Sequence, residues 1–148
     1  LKFSETYKQV MAGEKEDWRG SPGGRLAEIL VLDQFARNMF RDTPQAFAGD
    51  SMAQKLAQAA VASGDDLKLP ILQRNFIYMP YMHSEDRALH EKALLLFAQP
   101  GLENNLKYEI MHKKIIDRFG RFPHRNAILG RKSTAEETEF LKQPGSSF

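Results

Sequence analysis

The stretch FGRFPHRNAILGR, Phe119 to Arg131, sets three arginines and a histidine among two phenylalanines, a proline and two glycines. Widened to Arg118 and Lys132, it holds four arginines, a lysine and a histidine, and no carboxylate. A guanidinium is a planar fork of five N–H donors whose geometry matches a carboxylate or phosphate. Such a segment is suited to gripping an anion. It is also suited to a structural task, because arginines after a helix end can hydrogen-bond the last carbonyls. That task accounts for one or two of the four arginines.

Two further constellations carry polar side chains at spacings that matter. In LAEILVLDQFARNMFR, Leu26 to Arg41, the residues Asp33, Gln34, Arg37, Asn38 and Arg41 fall at i, i+1, i+4, i+5 and i+8. On a helix this is one polar stripe opposite Phe35, Ala36, Met39 and Phe40. Either Asp33 and Arg37 form a solvated i,i+4 pair contributing about 0.3–0.5 kcal/mol, or the stripe is a cleft wall on which Asp33 orients Arg37 and Arg41. In MHSED, Met82 to Asp86, Ser84 is suited to cap a helix with Glu85 and Asp86 in its first turn. The alternative makes His83 a general base and Glu85 its partner, which needs an irregular helix start because residues two apart diverge on a regular one. His112 shares a helix face with Tyr108, Ile115, Ile116 and Phe119, so it reads either as a hydrogen-bonded core residue or as a second base. No His/Asp/Glu spacing matches a metal site, and neither a metal nor a cofactor is expected.

The elements that must position these residues are helical almost throughout, with no segment of clean period two. Phe3, Tyr7, Val10 and Met11 mark a first helix, and Gly20-Ser21-Pro22-Gly23-Gly24 breaks the chain after Trp18. A long helix is expected over 25–41, then a Thr43-Pro44 turn, a helix over 51–63 capped by Asp50, and one over 69–79 that Pro80 ends or kinks. A helix after Ser84 stops near Pro100-Gly101. The next runs over 104–119 with Gly120 as its C-terminal stop. Pro123 then forces Phe122 extended. Ser133 to Glu137 offers two overlapping capping-box spacings, and the tail 144–148 is turn-like. Short connections favour antiparallel neighbours, so the expected fold is all-α, an irregular antiparallel helical array in one domain over 1–148. No 34-residue repeat is visible.

At 148 residues, 42% hydrophobic and 27% charged, the chain can bury a core and is not of disordered composition. A net charge of +2 argues against a dedicated nucleic-acid binder. There is no cysteine, which removes disulfide and thiolate chemistry and is compatible with a cytoplasmic location. No apolar run in the chain is long enough to cross a bilayer. The chain opens at Leu1 in what reads as mid-element, and an N-terminal segment is expected to be missing.

Taken together, LAEILVLDQFARNMFRDTPQAFAGD, FIYMPYMHSEDRALHEKALLLF and HKKIIDRFGRFPHRNAILGRKSTAEETEFL resemble the bacterial family of unknown function DUF924, from about Trp18 to the C-terminus. The resemblance implies an all-α fold of the tetratricopeptide-like kind and brings no established activity, substrate or cofactor. Its DQF-RN block falls on Asp33, Gln34, Phe35, Arg37 and Asn38, its HSE block on His83, Ser84 and Glu85, and its FGRFPHRN-LGR block on Phe119–Asn126 and Leu129–Arg131. Members usually begin with an aromatic segment of the FWFG type, which this chain lacks.

The expected site is a cleft where the three blocks converge. Asp33, Gln34, Arg37, Asn38, Arg41, Arg121, His124, Arg125 and Asn126 would bind an anionic small molecule or peptide. The alternatives are a hydrolase using His83 or His112 with Glu85, and a scaffold in which the same residues form buried networks without a ligand. RNA binding ranks last.

Overall fold

A computed structural model describes residues 3–148 and is all-helical, with no strand among the described residues. α1 (Ser4–Met11) buries Tyr7 and Val10. A 3₁₀ turn, Glu16–Gly20, leads into α2 (Pro22–Leu30), which runs through a π-helical segment, Val31–Phe35, into α3 (Ala36–Met39). α4 (Asp50–Ser63), α5 (Ile71–His83), α6 (Arg87–Leu96) and α7 (Glu103–Phe119) follow, and α8 (Asn126–Leu129) and α9 (Ala135–Leu141) close the chain. Successive helices pack as an irregular antiparallel array, and α5 sits at its centre against α2, α4, α6 and α7.

Local chemistry explains the boundaries. Ser21 caps α2, its Oγ accepting from the Gly24 N–H at 3.0 Å, with Pro22 in the first turn. The breaker cluster therefore starts the helix at 22 rather than delaying it to 25. Gly24 has no room for a side chain, since a Cβ there would sit 1.8 Å from the Trp18 carbonyl oxygen. The helix ends at Met39, so Arg41 lies in the following turn, off the stripe expected to run from Asp33. Pro80 does not end α5, which continues to His83, packing Ile77, Tyr78, Tyr81 and Met82 into the core. Neighbouring packing outweighs the one ladder bond that a proline removes.

Two capping expectations need correction. Asp50 is the first residue of α4 rather than its cap, and its carboxylate is engaged elsewhere. Ser84 does not cap α6. Asp86 does, accepting from the Ala88 N–H at 2.9 Å, while the Ser84 Oγ accepts from the Asp86 N–H at 2.9 Å. Glu85 therefore precedes the helix and is free to turn toward the C-terminal region.

A large core joins α1 to α6, and a smaller one gathers Ile115, Ile116 and Phe122 with Phe119 and Phe140. α6 and α7 are locked by a buried pair, His90 and Glu109, both 0% exposed and 2.8 Å apart, with the other His90 nitrogen donating to the Ser84 carbonyl at 2.7 Å. Gly120 takes the left-handed conformation that ends α7, at φ 74°. Thr134 and Glu137 then form a capping box for α9.

Arg121 holds that helix in place. Its guanidinium donates to both Glu137 oxygens, at 2.9 and 2.7 Å, and to the Lys132 carbonyl at 2.8 Å. These bonds from Arg121 hold the Glu137 carboxyl down at about 2, against an ordinary 4.5. A depressed carboxyl stabilises the fold above its unfolded pKa and loses that contribution as pH falls through the folded one. Denaturant titrations of the native protein should thus lose stability between about pH 4.5 and 2, and Glu137→Gln should remove part of that loss. Identical acid limbs for the two proteins would refute the clamp.

Candidate functional site

The three polar blocks meet at one cavity of about 590 Å³. Its wall includes Arg37, Asn38, Arg41, Asp42, His83, His112, His124 and Arg125, with Phe47, Phe122, Ile128 and Phe148 as apolar lining. The π segment supplies the carboxylate that holds two of these wall residues. A π turn holds one extra residue and is frequent at functional sites. Asp33, at its middle and 1% exposed, turns inward. One oxygen, Oδ1, accepts from His83 Nδ1 and from Arg37 Nη1, both at 2.7 Å, and Oδ2 accepts from the Gln34 amide at 3.2 Å. Arg37 extends further and grips Asp50 with both forks, at 2.8 and 2.9 Å.

Electrostatics follow from these contacts. Burial pushes the Asp33 carboxyl up, but His83 and the Arg37 guanidinium outweigh it and keep it ionised, below the usual carboxylate range. Burial lowers His83 more than Asp33 raises it, so the imidazole is neutral, with Nδ1–H on Asp33 and Nε2 without a hydrogen bond among the described residues. His112 donates from Nδ1 to the Tyr108 carbonyl at 2.7 Å, and burial pushes it down to about 3. Burial and the neighbouring Arg125 charge bring His124 down to about 4. Two imidazoles, His83 and His112, lie with ring centroids 6.4 Å apart.

Arg125 is the unbalanced member. It is 6% exposed, yet its one short bond is Nη2 to the His83 carbonyl at 2.8 Å, and Nη1 stands 3.7 Å from an Asp50 oxygen that Arg37 already holds. Its Nε is buried with no partner among the described residues, as is His124 Nδ1. Phe47 and Phe122 lie 4.6 and 4.7 Å from its Cζ. Burial lowers Arg125 to about 10, Asp50 offsetting only part of this, and leaves it cationic at neutral pH.

Other expected residues stand elsewhere. Glu85 is not beside His83. Its carboxylate accepts from Arg131 at 2.8 and 3.0 Å and from the Phe122 N–H at 2.7 Å, stapling the segment after α7 onto the end of α5. Burial opposes its ionisation, but Arg131 and that N–H keep it below its ordinary value. Arg121 is tied to Glu137, and the buried Asn126 accepts from Arg131 Nε at 3.0 Å and donates to the Ser133 Oγ at 3.1 Å. Asp33, Gln34, Glu85, Arg121 and Asn126 are thus outside the cavity wall, and they hold its frame. Asp50, Phe47 and Phe148 were not legible as site residues. Asp50 looked like an ordinary cap, and no spacing in the turn at 44–47 marks Phe47.

Comparisons with known proteins agree with this architecture. A solved structure, "Structure of Protein of Unknown Function ATU0120 from Agrobacterium tumefaciens", matches with a TM-score of 0.90 at 37% identity, over 95% of this chain and 79% of that one. No curated protein matches. The family profile described as "Bacterial protein of unknown function (DUF924)" matches residues 1–145. The chain belongs to the DUF924 family. In this DUF924 chain the family blocks quoted above divide between a cavity wall and the frame behind it. Among the described residues no helix is long and apolar enough to cross a membrane, and no group of His, Asp and Glu is placed to hold a metal ion.

The frame gives a direct expectation. Removing Arg37 leaves the buried Asp33 without its arginine and Asp50 with only the more distant Arg125, 3.7 Å away, a change that costs about 3–5 kcal/mol. Arg37→Ala should lower the urea midpoint accordingly, and a loss of unfolding free energy under about 1 kcal/mol would show that water replaces the guanidinium.

Proposed function

We propose that this domain binds an anionic small molecule or peptide terminus in the cavity, with Arg125 as the principal donor and Arg37, Arg41 and Asn38 around it. One observation supports this above the others: Arg125 is buried, charged and under-partnered. An uncompensated buried charge costs several kcal/mol, and a carboxylate or phosphate would supply what Asp50 does not. The purely structural alternative explains Arg37, Arg121 and Arg131, each bound to a carboxylate by two short bonds. It does not explain Arg125.

The binding experiment is calorimetric titration of inorganic phosphate and acetate into the native protein, Arg125→Gln and Lys114→Gln. Lys114 is exposed and lies outside the cavity wall. Arg125→Gln should weaken binding at least tenfold, while Lys114→Gln leaves it unchanged. Equal affinities in all three proteins would end the proposal.

A second reading is favoured by one contact, the 2.7 Å bond between His83 Nδ1 and Asp33. This is the geometry in which a carboxylate fixes the tautomer of a general base and supports the imidazolium that forms. Asp33, rather than Glu85, is then the orienting acid. With His83 Nε2 taking a proton from water, the cavity would hydrolyse an ester bearing a second, anionic group held by Arg125. Because His83 titrates below its ordinary 6.5, kcat/KM should stay level from neutral pH down past 6.5, and His83→Gln should lose turnover while retaining phosphate binding. An acid limb centred at or above 6.5, or full activity in the variant, would remove the dyad from the chemistry.

A further inference from the structure

Phe148 occupies part of the cavity in a way that anion binding alone leaves unused. Its ring stacks on His112 with centroids 3.7 Å apart and planes 18° from parallel. It meets Phe122 and His124 edge-on, at 6.4 and 6.0 Å. The contact with His112 is face to face, and those with Phe122 and His124 are the T-shaped arrangement that aromatic rings prefer. Yet Phe148 as a residue stays 50% exposed, and the tail that carries it is held by the Ser146 Oγ donating to the Leu141 carbonyl at 3.2 Å. The walls of the slot are firmer than its occupant. Phe122 is 0% exposed, and His112 is pinned to its own helix through the Tyr108 carbonyl.

The slot adjoins the anion donor. The Phe122 ring that borders Phe148 also carries the Arg125 guanidinium, 4.7 Å from its centroid. A ring in the slot and a negative group on Arg125 would therefore rest on the same phenylalanine, joined by a short spacer. His112 and His124 are neutral at physiological pH, so the slot presents flat, uncharged faces beside one cation.

We propose that the ligand is an aryl anion, an aromatic ring linked by one or two atoms to a carboxylate or phosphate. Its ring displaces Phe148 from between His112, Phe122 and His124, and its anion meets Arg125. This rests on the anion-binding reading above and names the ligand class for that site.

The probes are phenylacetate, cyclohexylacetate, acetate, phenyl phosphate and inorganic phosphate, titrated calorimetrically into the native protein and into Phe148→Ala, with urea midpoints confirming that both are folded. Phenylacetate should bind at least tenfold more tightly than acetate or cyclohexylacetate, and phenyl phosphate more tightly than inorganic phosphate if the anion is a phosphate. Phe148→Ala should tighten the aryl probes several-fold and leave acetate unchanged. If aryl and alkyl anions bind alike, or Phe148→Ala weakens phenylacetate, the ring slot is overturned while anion binding stands. If no probe binds either protein, both readings fall together.

Discussion

The Arg37 guanidinium serves two carboxylates at once, Asp33 from the π segment and Asp50 from the start of α4. Both acids are buried, and a buried carboxylate left without a cation is costly. The contact thereby joins two helices and keeps Asp33 charged for His83. It also satisfies Asp50 on both oxygens, so that the second arginine reaching it, Arg125, arrives at 3.7 Å and finds no full partner. Stability and unfilled donor capacity thus originate in the same three residues.

Segments that looked functional in one piece divide by role. In the HSE run, His83 faces the cavity while Glu85 turns away to bind Arg131 and the Phe122 N–H. Those bonds bring the C-terminal loop across the end of α5 and set Phe122 and Arg125 beside His83. The buried His90–Glu109 pair holds the intervening Ser84 carbonyl from behind. In the basic loop, Arg121 and Arg131 are bound to acids, and only Arg125 is left short. Charge composition alone cannot separate such arginines, since their acids lie 16 to 46 residues away in sequence.

Most of the helices were legible because their apolar periodicity and their stops, Gly64, Gly120 and the Thr134 box, are local signals. The misplacements share a physical cause. Pro80 sits inside α5 and Asp50 inside α4 because tertiary partners outweigh local preference there. The convergence of Asp33, Arg37, His83, His112 and Arg125 could be anticipated from three blocks of unusual polarity. The choice of Asp33 over Glu85 as the acid beside His83 could not, because the π turn that aims Asp33 leaves no mark in hydrophobic spacing.

That π turn also separates the scaffold from its cavity in an unusual way. Each residue of a regular helix advances by about 100°, and a π segment behaves as a single extra residue lodged in the coil. Excising one residue between Val31 and Phe35 would restore ordinary winding without unravelling α2. Side chains on either side would keep their facing, because the bulge absorbs the extra residue, but those within it would be re-aimed, and Asp33 would no longer offer one oxygen to both Arg37 and His83. A lineage could therefore shed or regain the site by a three-nucleotide change while its array of helices stayed whole.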